Sequence, residues 1–242
     1  MEYELKFSRY NEHSILIEWP AIMDENMLKD ILNFKNIIEK KYIKQKVEVI
    51  NAFNSILVIY NYTIDNINDE IFRLKALKFT EDDLVDSKSK LWKIPVCYDD
   101  EFGMDLNEFS KQKQLSETEV IELHSTAIYT IFFIGFLPGF LYLGGLDKKL
   151  HLDRKSTPNL DVKKGAVGIG GNQTGIYPQN SPGGWHIIGN TPVDFFNPKT
   201  NPPCVFNAGD QLKFYPISKS EFLDLEQDVK HGCFQLKPLQ NA

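Results

Sequence analysis

Residues 165–192 read GAVGIGGNQTGIYPQNSPGGWHIIGNTP, and this segment decides how the second half of the chain can fold. It contains glycines, prolines, polar amides and two aromatic residues, but no acidic residue, lysine or arginine. Glycine permits positive φ and close backbone approach, whereas proline fixes φ and removes a hydrogen-bond donor. Their alternation predicts a path of tight turns between short strands.

A second segment of the same character, GFLPGFLYLGG, occupies residues 135–145. Between the two segments lies Arg154, which is the only arginine in the second half of the chain. A guanidinium can hold a carboxylate or a phosphate with two parallel hydrogen bonds. We predict that these pieces are the walls of one site that contains Arg154. The alternative is a surface ion pair with Asp153 or Asp161, which would contribute little.

The composition is that of a globular chain with a substantial apolar core. Of the 242 residues, 42% are hydrophobic and 12% are aromatic, which fits one large domain or two small ones. A net charge of −6 argues against a nucleic-acid-binding surface. The three cysteines have no metal-site or disulfide spacing, and residues 1–10 lack an apolar signal segment. We therefore predict a cytoplasmic protein without a metal site.

Residues 125–146 carry no charge over a length that could span a membrane as a helix. Glycine and proline recur after residue 134, and both break helices. The preceding residues 128–134, IYTIFFI, are β-branched and aromatic, which is typical of a buried strand. We predict a strand here and no contact with a membrane.

The first half of the chain has the alternating and helical periodicities of a ββαββα domain. Strands are predicted at residues 3–9, 14–19, 46–51 and 55–62, and helices at 25–41 and 65–78. This order indicates a small α+β domain over residues 1–88, with helices on an antiparallel sheet. The polar segment 80–90 marks its boundary.

The second domain, residues 89–242, is predicted to be mainly β. Strand and turn signals fill residues 127–215, which indicates a closed barrel or a sandwich. Further elements are a strand at 92–97, a short helix opened by Asp105, capping-box helices from Ser116 with Glu119 and from Ser218 with Glu221, and a strand at 233–236.

The glycines of residues 165–175 do not match a nucleotide-binding motif. Gln173 occupies the third glycine position of a dinucleotide fingerprint, and no lysine follows Gly175 as a phosphate loop requires. His124, near the end of a helix, could be a general base or a satisfied structural histidine. No Ser/His/Asp order indicates a hydrolase triad.

Uncharged polar and aromatic side chains recur along the glycine-rich segment. They suit a small polar ligand or a peptide groove, but the same residue types also dominate turns for conformational reasons alone. The residues are Gln173, Tyr177, Ser181, Trp185 and Asn190.

Together these motifs resemble the allophanate hydrolase subunit 1 family, which includes the B-type subunits of 5-oxoprolinase and the Kip-type inhibitors of sporulation kinases. The resemblance is strong over residues 91–215 and weak before them. Its motifs are GFLPGFLYLGGLDKKL at 135–150, the Asp153-Arg154 pair and GNQTGIYPQNSPGGWHIIGNTP at 171–192, with IPVCYD at 94–99, GMDL at 103–106 and VIELHS at 120–125.

The resemblance implies an α+β domain followed by a cyclophilin-like β-barrel. It also implies a subunit, inactive alone, of an enzyme that uses ATP as co-substrate to open the lactam of 5-oxo-L-proline to L-glutamate. The implied partners are a larger subunit of the allophanate hydrolase subunit 2 type and a third subunit. The implied catalytic residues are His124 and Arg154. The implied substrate-binding residues are Gly135, Phe136, Pro138, Gly139, Phe140, Gln173, Tyr177, Pro182, Gly183, Gly184 and Trp185.

Two features depart from the family pattern. Asn159 stands where the family usually has a second arginine, so a second anion contact is missing. Lys163 and Lys164 occupy a position that is usually Pro-Ala, and a lysine can replace an arginine as a point charge but not as a fork. The exact substrate therefore stays open at this stage.

Two other functions remain open. In the Kip-type alternative, an aromatic and proline-rich surface around Phe136, Phe140, Tyr177 and Trp185 would bind a sporulation-type sensor histidine kinase and inhibit it. A peptidyl-prolyl isomerase is suggested only by the implied barrel, and a shared fold is weak support for a shared function.

Overall fold

The computed structural model describes residues 3–42, 47–77 and 89–239. The chain divides into two compact units, Met1–Lys88 and Ser89–Ala242, and each has an apolar core of its own. Most of the polar segment 80–90, where the domain boundary is predicted, lies outside the described residues.

The first unit packs two helices with an antiparallel sheet of four strands in the order β1-β2-β4-β3. Its elements are β1 (Lys6–Asn11), β2 (Ser14–Glu18), α1 (Glu25–Lys41), β3 (Glu48–Asn51), β4 (Ser55–Ile59) and α2 (Ile67–Lys75). Residue 46 of the third predicted strand and residue 78 of the second predicted helix lie outside the described residues.

Local hydrogen bonds explain the start of α1 and the end of β1. The Asp24 carboxylate accepts a 2.8 Å hydrogen bond from the Met27 N–H, so α1 starts at residue 25 as predicted. Strand β1 continues to Asn11, beyond its predicted end, because the Asn11 side-chain oxygen accepts hydrogen bonds from the His13 N–H and the Ser14 hydroxyl. The turn therefore lies at residues 12–13.

The second unit is a β-barrel with helices inserted between its strands and a further helix after the last barrel strand. Its elements are β5 (Leu91–Cys97), α3 (Leu106–Lys113), α4 (Glu117–Thr126), β6 (Tyr129–Ile134), β7 (Leu141–Gly144), a 3-10 turn (Lys148–Leu150), β8 (Asn159–Val162), β9 (Ala166–Gly170), β10 (Gln173–Ile176), β11 (Ser181–Gly183), β12 (His186–Asn190), β13 (Gln211–Ile217), α5 (Lys219–Lys230) and β14 (Pro238–Leu239).

Seven strands close into a ring, which decides between the predicted barrel and sandwich. The order is β5-β12-β9-β10-β7-β6-β13, and β13 returns to β5. The pairing of Asn190 with Cys97 joins β12 to β5, and the β13–β5 pair is the parallel one in an otherwise antiparallel ring. Strands β8 and β11 form a separate two-stranded sheet.

The charge-free segment 125–146 contributes two barrel strands. It runs from the end of α4 through β6, a turn and β7, so the predicted strand at 128–134 is confirmed. Among the described residues, no helix combines the length and the apolar character that a bilayer crossing requires.

The predicted strand at 233–236 is wrong. The amides of Cys233 and Phe234 both donate to the Asp228 carbonyl, which caps the end of α5 and takes these amides away from any strand partner. The chain rejoins the barrel later, where β14 pairs with residues 91 and 92 of β5.

Both capping boxes are confirmed. At Ser116 and at Ser218 the side chain accepts from the amide of the glutamate three residues later, and that glutamate accepts from the serine amide in return.

Gly165 and Gly171 both have positive φ, at +80° and +67°, but only Gly165 is crowded. A Cβ at Gly165 would lie 2.1 Å from the Thr191 carbonyl oxygen, whereas a Cβ at Gly171 would meet nothing within 4 Å. We expect Gly171→Ala to lower the free energy of unfolding by about 1 kcal/mol, the cost of left-handed backbone. Gly165→Ala should cost at least about 3 kcal/mol, because backbone must also move.

Urea denaturation of the full chain, followed by circular dichroism, measures both variants against the wild type. Equal losses for the two variants would contradict the close approach of Gly165 to residues 190 and 191.

Candidate functional site

The outer wall of the barrel carries an apolar cluster that is separate from the barrel core. Side chains alternate along a strand, so β7, β9 and β10 send one set of residues into the barrel and the other set outward. The outer cluster consists of the buried residues Phe140, Val162, Ala166, Tyr177, Trp185 and Ile187, with Leu137 and Tyr142 packed against them.

Trp185 lies on a track of glycines at the centre of this cluster. A Cβ at Gly170 would lie 2.7 Å from the indole, and a Cβ at Gly175 would lie 2.9 Å from it. A Cβ at Gly168 would lie 3.2 Å from the Trp185 Cβ. These glycines therefore make room for a buried tryptophan, which explains them without a phosphate.

Besides these glycines, the rings of Phe140 and Tyr142 contact the indole of Trp185. Phe140 meets Trp185 and Tyr177 edge to face, with centroid distances of 5.6 and 5.0 Å. Tyr142, half-buried, lies 5.8 Å from Trp185 and stacks on Phe133 at 4.0 Å. Such pairs favour fixed mutual geometry, so the wall beneath a ligand would be rigid.

Tyr177 is a neutral anchor in this wall. Burial raises the pKa of its phenol to about 12, although the Trp185 backbone amide and the Arg154 charge act in the opposite direction. A Cβ at Gly183 would lie 2.3 Å from the phenol oxygen, so Gly183 is required for the phenol to fit.

Arg154 lies over this cluster. Its guanidinium carbon is 5.5 Å from the centroid of the Trp185 ring, and the residue is exposed. Within the described part of the chain, the guanidinium makes no ion pair with Asp153 or Asp161; Asp161 pairs with Lys163 instead. The predicted alternative of a surface ion pair is therefore wrong, and the N–H donors of Arg154 remain available to an anion.

The turn at residues 135–140 forms one rim of the cluster. Phe136 has a φ of +69° and is 65% exposed, and its ring meets Phe140 edge to face at 5.8 Å. Gly139 packs so closely on Phe196 that a Cβ would lie 2.8 Å from the Phe196 Cβ. Gly135 is half-buried and Pro138 is exposed. The rim thus presents one aromatic ring to the surroundings.

The remaining substrate-binding candidates lie at the edges of the same face. Gln173 begins β10, shares the outer face with Gly175 and is half-buried. Pro182 is exposed on β11, and the Gly184 carbonyl accepts a 2.7 Å hydrogen bond from the Lys155 N–H. The Asn190 side-chain amide instead donates to the Lys164 carbonyl, near the point where β12 pairs with β5. This hydrogen bond indicates a structural role for Asn190.

The residues that could replace the missing second arginine are engaged elsewhere. Lys163 pairs with Asp161, and Lys164 pairs with Asp194. The Asn159 amide lies 3.3 Å from the Met104 sulfur. Arg154 is therefore the cation that the outer cluster offers among these positions.

His124 is not brought to this cluster. It is fully buried and stacks on Phe214 at 4.6 Å. The Thr174 hydroxyl donates to the Gly168 carbonyl, so it accepts from the His124 Nε2–H at 3.0 Å. Nδ1 then accepts from the Tyr98 hydroxyl at 2.8 Å.

This hydrogen-bond chain requires the neutral ring with its proton on Nε2. Burial lowers the pKa of His124 to about 3, in agreement with a neutral ring. The geometry supports a structural role for His124 in place of the predicted catalytic one.

Sequence reasoning missed Asp105 and Lys155 as parts of this region. Their side chains form an ion pair of 2.5 Å, 16% and 25% exposed, on the cleft that Arg154 and His186 also line. The GMDL motif at 103–106 could have drawn attention to Asp105, but in the sequence Asp105 indicated only the start of a helix. In the described residues, no three His, Cys, Asp or Glu side chains are grouped as a metal ion requires.

His124 should make stability depend on pH between about 6.5 and 3. In that range the unfolded chain binds a proton on this ring and the folded chain does not. The contribution of His124 to the free energy of unfolding is therefore complete above pH 6.5 and is lost as the pH falls. We expect His124→Gln to be less stable than wild type at pH 7.5. When the pH is lowered from 7.5 to 4.5, the free energy of unfolding should fall for both proteins, and the fall should be about 2–3 kcal/mol smaller for His124→Gln than for wild type.

Urea unfolding of both proteins at the two pH values gives this difference directly, because all other titrating groups are shared. An identical pH dependence would contradict a buried neutral His124.

Comparison with known proteins agrees with this architecture. The family model described as "Carboxyltransferase domain, subdomain C and D" matches residues 5–206. The B-type 5-oxoprolinase subunit of Bacillus subtilis (strain 168) is 47% identical over 133 residues, 55% of this chain and 55% of that protein. The B-type 5-oxoprolinase subunit of Escherichia coli O157:H7 is 41% identical over 170 residues, 70% of this chain and 78% of that protein.

Among solved structures, the urea amidolyase of Kluyveromyces lactis contains a region of the same fold, with a TM-score of 0.81 over 99% of this chain and 16% of that chain, at 19% identity. The match to the B. subtilis relative spans little more than half of that protein's length. Because the family model covers most of both units and the relatives are 41–47% identical, the chain belongs to the allophanate hydrolase subunit 1 family of carboxyltransferase subdomains C and D, which includes the B-type subunits of 5-oxoprolinase.

Proposed function

We propose that the chain is a subunit of a cytoplasmic, ATP-dependent 5-oxoprolinase, which opens the lactam ring of 5-oxo-L-proline to give L-glutamate. The names of the relatives at 41–47% identity support a 5-oxoprolinase subunit. The observation that carries the proposal is the position of Arg154, which lies over a buried tryptophan with its donors unengaged among the described residues.

The chemistry of the substrate fits this arrangement. 5-Oxoproline is a flat five-membered lactam with one carboxylate. A guanidinium can hold the carboxylate through two hydrogen bonds, while the half-buried ring of Tyr142, beside Trp185, supplies apolar surface for the lactam ring. The half-buried amide of Gln173 shares that outer face and could bond to the lactam group.

The share of this chain in the reaction would be binding and positioning. His124 is sealed in the barrel, and the glycines of β9 and β10 face Trp185. We therefore assign ATP binding and the groups that attack the lactam to partner subunits. These are a larger subunit of the allophanate hydrolase subunit 2 type and a third subunit, and the chain alone would be inactive.

A second candidate function is inhibition of a sporulation-type sensor histidine kinase. The exposed ring of Phe136 favours it, because a backbone with positive φ holds this apolar side chain outward, where another protein can contact it. This function requires the aromatic rim and has no need of Arg154.

The test compares ATP hydrolysis with and without 5-oxoproline, first by this chain alone and then by the complex formed with the proteins encoded beside it. We expect 5-oxoproline-dependent turnover only in the complex. Arg154→Lys keeps the charge but loses the fork, so kcat/KM should fall about 10- to 100-fold, mainly through KM.

Arg73→Lys is the matched control, because Arg73 is an exposed arginine of the first unit that pairs with Glu70. It should leave turnover unchanged. Full activity of the Arg154→Lys complex would refute the role of Arg154, and a complex that ignores 5-oxoproline would refute the substrate. Kinase inhibition that is lost in Phe136→Ala and kept in Arg154→Lys would favour the second candidate.

A further inference from the structure

We infer that Asp105 is a positioning residue that holds Arg154 over Trp185; its consequence for turnover rests on the proposed function. One carboxylate connects the segments that carry the two members of this pair. Asp105 Oδ1 lies 2.5 Å from Lys155 Nζ, and Oδ2 accepts a 2.7 Å hydrogen bond from the Ile187 N–H. Lys155 directly follows Arg154, and Ile187 is two residues after Trp185.

Backbone hydrogen bonds complete this connection. The Lys155 N–H donates to the Gly184 carbonyl at 2.7 Å. The His186 Nε2–H donates to the Asp153 carbonyl at 2.9 Å. The two sequence neighbours of Arg154, Asp153 and Lys155, are thus hydrogen-bonded to the two sequence neighbours of Trp185. In the described residues, the Arg154 side chain itself has the indole as its contact partner, so its position depends on these ties.

The Asp105 carboxylate bonds to Lys155 and Ile187 and does not cap helix α3. It occupies the N-cap position of α3, yet its side chain makes no capping hydrogen bond. An N-cap aspartate ordinarily accepts from an amide of the first helical turn. Here both carboxylate oxygens are already used, by Lys155 and by Ile187.

The rest of the GMDL motif brings Asp105 within reach of β12. A Cβ at Gly103 would lie 2.5 Å from the Ile188 carbonyl oxygen, so glycine lets the segment approach the strand. The Asp105 N–H then donates to the Ile187 carbonyl at 2.9 Å, opposite the bond that the carboxylate accepts. The motif therefore places the Asp105 carboxylate beside the strand that follows Trp185.

The charge of Asp105 matters as well as its hydrogen bonds. Lys155 places an ammonium on the residue next to the Arg154 guanidinium, and Asp105 neutralises it. The pair is only 16% and 25% exposed, so solvent and salt screen it weakly. Asp105→Asn would keep the shape but leave the Lys155 ammonium without this counter-charge. Lys155 could then turn toward Glu108 or Asp153 on the same cleft and pull on Arg154.

Tryptophan indole N–H signals of the ¹⁵N-labelled chain test this inference without any substrate. The chain has three tryptophans, and the Trp185 signal is assigned with Trp185→Phe. The indoles of Trp19 and Trp92 donate to Asp30 and Asp210, so they report on folding of the two units separately. We expect Asp105→Asn to shift the Trp185 signal in the same direction as Arg154→Met and to leave the other two unchanged.

A double variant separates positioning from a general structural effect. If Asp105 acts through Arg154, Asp105→Asn adds no further shift in the Arg154→Met background. Asp161→Asn is the matched control, because Asp161 forms an acid–lysine pair that is exposed; it should move none of the three signals. Lys155→Met is the second variant, should Asp105→Asn fail to fold, and it should move only the Trp185 signal.

In the complex, Asp105→Asn should raise the KM for 5-oxoproline about tenfold or more with a smaller change in kcat, as expected for a displaced binding group. An unmoved Trp185 signal, or an equal shift in the Arg154→Met background, overturns the inference whatever the turnover. Wild-type turnover that ignores 5-oxoproline refutes the proposed function and leaves the shift experiment to decide the role of Asp105.

Discussion

Trp185 can lie against the outer wall of the barrel because β9 and β10 place glycines beneath its indole. A single Cβ at Gly170 or Gly175 would come within 3 Å of the indole. The buried indole in turn fixes Phe140 and Tyr142 edge to face and provides the surface over which Arg154 lies. The site therefore depends first on a steric constraint, and its electrostatics follow from it.

For the proposed binding of an anion at this wall, positions 154, 159, 163 and 164 offer one guanidinium, that of Arg154. The lysines at 163 and 164 are neutralised by Asp161 and Asp194, and Asn159 lies against Met104. A single fork suits a ligand with one carboxylate better than one with two separated anionic groups. Under the proposed function, the departure from the family pattern at Asn159 is compatible with a substrate that carries one carboxylate.

Sequence reasoning succeeded where the physics is local. The helices predicted from residue 25 and from the capping boxes at Ser116 and Ser218 begin where expected, and the β-branched run at 128–134 forms β6. It failed at Cys233 and Phe234, which were expected in a strand, because their amides donate to the Asp228 carbonyl and close the end of α5. It also failed for contacts between distant segments. The Asp105–Lys155–Ile187 contacts join segments 50 and 82 residues apart in the chain, and no local pattern encodes them. Only the resemblance to a family anticipated a barrel rather than a sandwich.

The parallel pairing of β13 with β5 also constrains how the second unit is made. Leu91 pairs with Gln211 and Cys97 with Ile217, so strands from opposite ends of the unit lie side by side. During synthesis from the N-terminus, the ring stays open until β13 has left the ribosome. Until then, the inward apolar faces of β6, β7, β9 and β10 are not enclosed by a complete barrel. The ring can therefore close only after β13 has been made, and the glycine-rich segment that carries Trp185 precedes β13 in the chain.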